Sequence, residues 1–345
     1  MNQGELGVRA TKLKKLKDQV IVITGASSGI GLVTARMAAA KGAKVVLAAR
    51  NEAALKELTN ELQQAGHEAV YVRADVGIEE DVNKIADKAI KVFGRFDTWV
   101  NNAGVGIYGE AMNITNTDMK RLFATNFWGV IYGSKLAVRH FSERGNPGAL
   151  INVGSTSGDK GTPFLSTYAT SKFAVHGWTE SLRMELEKEK LPVSITLIHP
   201  ARIDTPYSEH ARSYFKHHPV HKGMIYPPEA VAEAICYAAA NPKRDIYVGS
   251  QAKVMQLLGA NFPGFTDKAW ELILPRTQYD KKRQSKSPEE SNLYHAGYGM
   301  HERGMNLGWK RKRSLFVKAE KHPVLTRIIV TGISVWAVLK MKRNS

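Results

Sequence analysis

Residues 19–37, QVIVITGASSGIGLVTARM, constrain this chain more than any other stretch. An apolar run from Val20 to Ile23 ends at Thr24, and Gly25, Gly29 and Gly31 follow. Ile30, Val33 and Met37 then recur at helical spacing. The pattern predicts strand, tight turn and helix. A helix that opens directly after such a turn aims backbone N–H groups and the positive end of its dipole at an anion. Glycines let the backbone approach a pyrophosphate closely. A glycine turn alone is equally compatible with a plain connection, so the remaining chain has to decide.

The remaining chain repeats the alternation. Residues 44–49, 68–74, 97–100, 148–153, 193–199 and 245–248 read as further strands. Helical spacing covers 51–65, 78–93, 115–143, 166–190 and 229–240. Seven strands with intervening helices predict an α/β fold, a Rossmann-type doubly wound parallel sheet. Residues 200–228 read as a long Pro- and His-bearing loop, of which 206–226 is expected with 161–165 to form a mobile lid and the substrate walls. Its aromatics, Tyr207, Tyr214, Phe215 and Tyr226, favour a lipophilic alcohol or ketone. His210, His217, His218 and His221 lie in the same loop without a clear ligand geometry, so no metal is expected.

The domain organisation expected is an N-terminal segment 1–17, a catalytic domain 18–250 and a C-terminal extension 251–345. From Arg276 onward the chain has 16 Lys and Arg against 5 Asp and Glu, which is +11 of the formal +17. The basic excess therefore belongs to the tail and suggests an anionic partner or a solvated extension. Residues 280–290 read as a charged flexible linker. Residues 324–339 form an apolar stretch whose uncharged part, 328–339, is too short to span a bilayer. Trp336 and flanking cations suit a membrane surface; docking on the domain or on another subunit is the rival. Lys310–Arg313 lacks the aromatic pattern of a nucleic-acid site. The single cysteine, Cys236, excludes an intramolecular disulfide, and the N-terminus lacks the apolar run of a secretory signal. A reducing, cytoplasmic setting is expected, with membrane association through the tail.

The spacing T-G-x-x-x-G-x-G at Thr24–Gly31, opening such an alternation, resembles the short-chain dehydrogenase/reductase family over residues 18–250. The resemblance implies a dinucleotide held by Thr24, Gly25, Ser27, Ser28, Gly29, Ile30 and Gly31. It makes Asp75-Val76 the adenine-contacting pair and Asn101-Asn102-Ala103-Gly104 the element that braces the sheet and lines the cleft. Pro200, Ile203 and Thr205 match the segment flanking the nicotinamide, with Ala201 in place of a glycine. At the end of the second strand no carboxylate stands where one would repel a 2′-phosphate; Ala49 is followed by Arg50. A guanidinium grips phosphate bidentately, so NADP(H) is expected over NAD(H).

Tyr168 and Lys172 are four apart on a predicted helix and share a face; Ser155 precedes Tyr168 by 13 residues at a strand end. They resemble the family's active-site Y-x-x-x-K and its serine, and Asn126 its fourth catalytic residue, which holds a water leading to the lysine. The expected chemistry interconverts a carbonyl and a secondary alcohol. Tyr168 exchanges the proton, Lys172 makes the phenol acidic and orients the nicotinamide ribose, and Ser155 polarises the substrate oxygen. The resemblance also suggests a homo-oligomer. A binding protein that senses cofactor without turnover is the alternative.

Overall fold

The computed structural model describes residues 12–321. Seven strands form one parallel sheet: β1 (Val20–Thr24), β2 (Lys44–Ala49), β3 (Ala69–Arg73), β4 (Thr98–Asn101), β5 (Gly148–Val153), β6 (Val193–Pro200) and β7 (Asp245–Val248). The spatial order is β7-β6-β5-β4-β1-β2-β3. The order in which strands are added switches sides between β1 and β4, and the crevice beyond the carboxyl ends of these strands is where such sheets bind ligands.

Each strand feeds two cores, because successive side chains point to opposite faces. In β1, Ile21 and Ile23 join a layer with α1 (Gly29–Ala40) and α7 (Pro228–Ala240). Val20 and Val22 join the opposite layer with α3 (Glu79–Phe93), α5 (Gly129–Arg144) and α6 (Ser166–Lys188). The α1 and α7 contacts are mostly alanine, so these helices lie close together. Cys236 sits there, buried, with its thiol pushed up to about 12 by burial.

Three sequence expectations change. The long helix over 115–143 is interrupted. Helix α4 (Asn116–Phe123) passes into a π-helical turn, Ala124–Trp128, before α5 begins. Asn126 lies within that turn, a feature that marks functional sites often enough to be worth noting. The lid loop is not free. Among the described residues its short strands pair with the rest of the chain: Arg212–Ser213 with Ile107–Tyr108, His217–Pro219 with Tyr279–Gln284, and Met224–Ile225 with Trp309–Lys310. The expected flexible linker over 280–290 is therefore partly a strand, because the lid offers it an unpaired edge.

Past β7 the chain forms α8 (Ser250–Asn261) and α9 (Pro263–Thr277), and α10 (Leu315–Lys321) closes the described part. Residues 251–321 lie on the sheet domain, with α10 against β7 and α7. The apolar stretch 324–339 lies outside the described residues. Among those described, no helix is long and apolar enough to cross a membrane.

One buried charge holds the entrance to β1 and β4. The Asp97 carboxylate, whose side chain is 2% exposed, accepts from Lys14 Nζ at 2.8 Å, Arg144 Nη2 at 3.0 Å and the Val20 N–H at 3.0 Å; Arg95 adds a further pair. Burial raises its pKa, but these donors outweigh burial and hold it low. Its contribution is therefore present above the ordinary carboxylate pKa of about 4 and lost as pH falls below it. Replacing it leaves Arg144 and the Val20 N–H without their acceptor, while Lys14 and Arg95 keep access to water. Asp97→Ala is expected to cost about 3–5 kcal/mol in urea unfolding at pH 7; a loss under about 1 kcal/mol would show the cluster is solvated.

Candidate active site

The glycine turn is fastened to the neighbouring strand by one hydroxyl. Thr24 Oγ1 donates to the Val100 carbonyl at 3.1 Å and accepts from the N–H groups of Asn102 (3.0 Å) and Ala103 (3.1 Å). Asn102 Nδ2 returns a hydrogen bond to the Thr24 carbonyl at 2.9 Å. The approach is tight: a Cβ on Gly25 would meet Ala103 Cα at 2.8 Å, and one on Gly31 would meet the Gly25 carbonyl oxygen at 2.1 Å. Gly25 also needs its φ of +68°. These two positions exclude side chains because neighbouring backbone fills the space.

Above this base lies a crevice bounded by most of the expected cofactor residues. Gly25, Ser27, Ser28, Gly29 and Ile30 form the floor; Arg50, Asp75, Val76, Asn102, Ala103, Gly104 and Thr205 form the walls. Thr24 and Gly31 lie outside this lining, beneath it, as braces. Two expectations need correction in detail. Arg50 is not a free phosphate ligand, because its Nη1 and Nη2 donate to the carbonyls of Leu293 and Asn292. The Asp75 carboxylate is paired with Arg121 and accepts from the Gly77 N–H, so any contact with adenine would have to share it. The remaining wall comes from far along the chain: Asn292, Ala296, Gly297 and Tyr298. No periodicity or motif marks these residues in the sequence. The residues fit a dinucleotide: at Gly25 and Gly29 the floor has no side chain, and buried Asn292 Oδ1 and His210 Nε2 have no hydrogen-bond partner among the described residues.

A second cavity of about 390 Å³ adjoins the crevice and shares Ile30, Asn102, Gly104, Thr205 and Tyr207 with it. Ser155, Tyr168 and Lys172 open into it, together with Pro200, Ala201 and Ile203. Ser155 comes from the end of β5; Tyr168 and Lys172 come from the first turns of α6. Ala201 is not among the residues with left-handed backbone, so alanine is accommodated there without strain. Tyr108, Leu165, Trp270, Ile273 and Leu274 make much of the remaining wall apolar. The sequence reading missed Trp270 and Leu274. Tyr207 was seen only as a lid aromatic, yet its ring lies 5.3 Å from that of Tyr168.

Burial dominates the titration of the site. It pushes the Tyr168 phenol up, although the neighbouring hydroxyls of Ser155 and Tyr207 oppose it. It pushes the Lys172 ammonium down to about 8. Lys172 Nζ donates to the Val153 carbonyl at 2.8 Å and lies 5.8 Å from the Tyr168 ring centre. In the protein without nucleotide the Tyr168 phenol is thus held in its neutral form. Asn126 is fully buried and lines neither cavity. Its amide accepts from the Val105 N–H at 2.8 Å and donates to the Val105 carbonyl and Ser171 Oγ. With both amide protons used, its side chain ties the segment after β4 to α6.

Under Ser155 lies a polar trio, Asp159, His176 and His199, whose ligand atoms fall within 4.8 Å of one another. Hydrogen bonding accounts for them without an ion. His176 Nε2 accepts from the Ser155 N–H at 3.4 Å, which leaves its Nδ1 proton for Asp159. His199 donates from Nδ1 to Asp159 and from Nε2 to Asp245, each at 3.2 Å. Burial lowers the His199 pKa, but the two carboxylates outweigh it and hold it above its usual value. A Cβ on Gly154 or Gly158 would strike the His176 ring at 2.4 or 2.6 Å, so the Ser155 loop is wrapped around that imidazole.

The sequence profile of the short chain dehydrogenase family matches residues 19–214. The Bacillus subtilis protein named uncharacterized oxidoreductase YxnA is 65% identical over 333 residues, covering 96% of this chain and 93% of that one. Two solved structures are similar. A 3-ketoacyl-(acyl-carrier-protein) reductase from Brucella melitensis, complexed with NADH, is 28% identical with a TM-score of 0.58, covering 68% of this chain and 98% of that one. An alcohol dehydrogenase from Thermococcus sibiricus, complexed with 5-hydroxy-NADP, is 25% identical with a TM-score of 0.58, covering 67% and 95%.

The buried ammonium predicts a trade of stability for function. Below about pH 8 folded Lys172 carries its charge in a dry site. Between about 8 and 10.5 the unfolded chain binds the proton more tightly than the folded one, so stability from this residue rises with pH. Lys172→Met, which loses only the bond to Val153, should raise stability by about 2 kcal/mol at pH 7. The gain should shrink toward pH 10. Thermal unfolding of both proteins across this range is the check, and a variant less stable at pH 7 refutes the burial argument.

Proposed function

The chain belongs to the short-chain dehydrogenase/reductase family, and from that premise we propose that it is an NADP(H)-dependent oxidoreductase interconverting a lipophilic carbonyl and a secondary alcohol, with Tyr168 as acid and base. That it is an oxidoreductase of CH–OH donors with a nicotinamide cofactor follows from the family. The choice of cofactor, the residue roles and the substrate class are our reading. The observation that carries it is the opening of Ser155, Tyr168 and Lys172 into an apolar cavity continuous with the crevice over the glycine turn.

When bound, the nicotinamide supplies or accepts the hydride. Gly25–Ile30, Asn102 and Thr205 would hold the dinucleotide, with Lys172 toward the nicotinamide ribose. In the reductive direction Ser155 Oγ holds the carbonyl oxygen by a hydrogen bond, and the Tyr168 phenol passes its proton to that oxygen. The phenol's raised pKa suits it to that role near neutral pH. In the oxidative direction the phenolate must form first, so alkaline conditions favour it. Ser27, Ser28 and Arg50 bound one end of the crevice, and the nearest carboxylate, Asp75, is neutralised by Arg121. That balance supports a 2′-phosphate over a bare hydroxyl; Arg50 retains guanidinium protons beyond the two it gives to carbonyls. The walls from Tyr108, Leu165, Trp270 and Leu274 support an apolar or ring-bearing substrate.

A panel of ketones and alcohols, followed by absorbance of the reduced nicotinamide, tests the reading. Tyr168→Phe should lose about 10²–10⁴-fold in turnover while binding nucleotide nearly unchanged. Retained turnover would remove the phenol from the mechanism, and binding without turnover in the unaltered protein would favour a cofactor sensor. Arg50→Ala should weaken NADPH about 10–100-fold and leave NADH within a few-fold. Equal weakening of both would make Arg50 structural.

A further inference from the structure

We propose that residues 292–301, from the C-terminal extension, form a strap that closes over the adenosine half of the cofactor and sets its rate of release. The proposal rests on the dinucleotide reading of the crevice. The strap lies outside residues 19–214, which match the family profile.

The strap is hydrogen-bonded to the glycine turn itself. The Gly29 N–H donates to the His301 carbonyl at 2.9 Å, and the Met300 N–H donates to the Ser27 carbonyl at 2.8 Å. Gly29 is the first residue of α1, so the strap takes one of the N–H groups that a helix cannot satisfy internally. Met300 between these bonds holds a φ of +60°, rare for a residue with a side chain, which marks a conformation fixed by its surroundings. Further along, Asn51 Nδ2 donates to the Gly297 carbonyl at 2.9 Å, Arg50 donates to the carbonyls of Asn292 and Leu293, and Arg121 Nε donates to Leu293 at 2.9 Å. Tyr298 Oη donates to Glu209 Oε2 at 2.5 Å. Beyond the strap, Glu302 accepts from Arg36 Nη1 at 2.6 Å.

Two features show that this is a wall of a binding site and not merely a docked tail. Asn292, Gly297 and Tyr298 bound the same cavity as the glycine turn and Arg50. Asn292 Oδ1 and His210 Nε2, both bounding that cavity, are buried without a partner among the described residues. An adenine or ribose seated between strap and turn offers such groups hydrogen-bond partners. A nucleotide covered on both sides leaves only after the strap bonds break, so the strap should govern dissociation more than the chemical step.

The weak point of the strap is Gly299, where a Cβ would land 2.2 Å from Ala54 Cβ. Gly299→Val should lift the strap without touching Ser155, Tyr168 or Lys172. NADPH release from the full-length protein is measured by stopped-flow displacement, using nicotinamide fluorescence, alongside hydrogen exchange of peptides covering 292–301. Release should accelerate at least tenfold in Gly299→Val, whose strap should lose protection, and saturating NADP⁺ should deepen protection in the unaltered chain. If Gly299→Val does not fold, Tyr298→Phe takes its place, with a rise of about threefold expected. Wild-type release rates from a strap that has lost protection overturn the proposal, as does protection unmoved by NADP⁺. An unaltered protein that binds neither NADPH nor NADH sinks the cofactor reading itself, a result separable from either of these.

Discussion

The hydroxyl of Thr24 is the joint on which the rest of the site depends. It links the ends of β1 and β4, which are adjacent in space but more than 70 residues apart in the chain, through one donated and two accepted hydrogen bonds. Because both strands are pinned at the same level, the glycine turn and the Asn102–Gly104 segment face each other across a gap with no room for side chains. The crevice is thus a property of strand ends. The buried chain of hydrogen bonds from Trp99 through Asn101 and Asn152 to Thr179 carries the same registration across β4 and β5 to α6. Ser155 at the end of β5 and Tyr168 on α6 are therefore set relative to the turn by the sheet, not by loop conformation.

Once the sheet has placed these groups, dehydration governs their chemistry. Lys172 and Tyr168 are both buried, and burial disfavours the charged form of each. The pair is poised with a neutral phenol and a weakened ammonium, a state suited to giving a proton. The imidazole of His199, bridging Asp159 and Asp245, shows the opposite outcome nearby, where two carboxylates overcome the same burial. Whether burial or partners wins is decided by how many counter-charges sit within hydrogen-bonding distance. Lys172 has a carbonyl for its partner, and His199 has two carboxylates.

How far the sequence could be read follows from the range of each interaction. The glycine turn, the seven strands and the Tyr168–Lys172 pair are local patterns, in which spacing along the chain fixes geometry. Asn126 was identifiable as an unusual helical residue, but its π-helical turn was not, because nothing in the spacing over 115–143 breaks the helical repeat. The raised pKa of Tyr168 was not legible, because it comes from the dryness around the phenol, which only the fold supplies. The lid was expected to move because its partners, Tyr279–Gln284 and Trp309–Lys310, lie some 60 to 90 residues downstream. A separation of 242 and 243 residues hid the commitment of Arg50 to the carbonyls of Asn292 and Leu293.

That last contact has a consequence for how the protein is made. A nascent chain that has emerged only as far as β7 already has every strand of the sheet and the whole of the Ser155, Tyr168 and Lys172 constellation. It still lacks one side of the nucleotide's compartment. The ribosome must deliver some 50 residues more before the two carbonyls that Arg50 awaits come within reach. The wall opposite the glycine turn is thus supplied by the last part of the chain to be made among the elements that line the crevice.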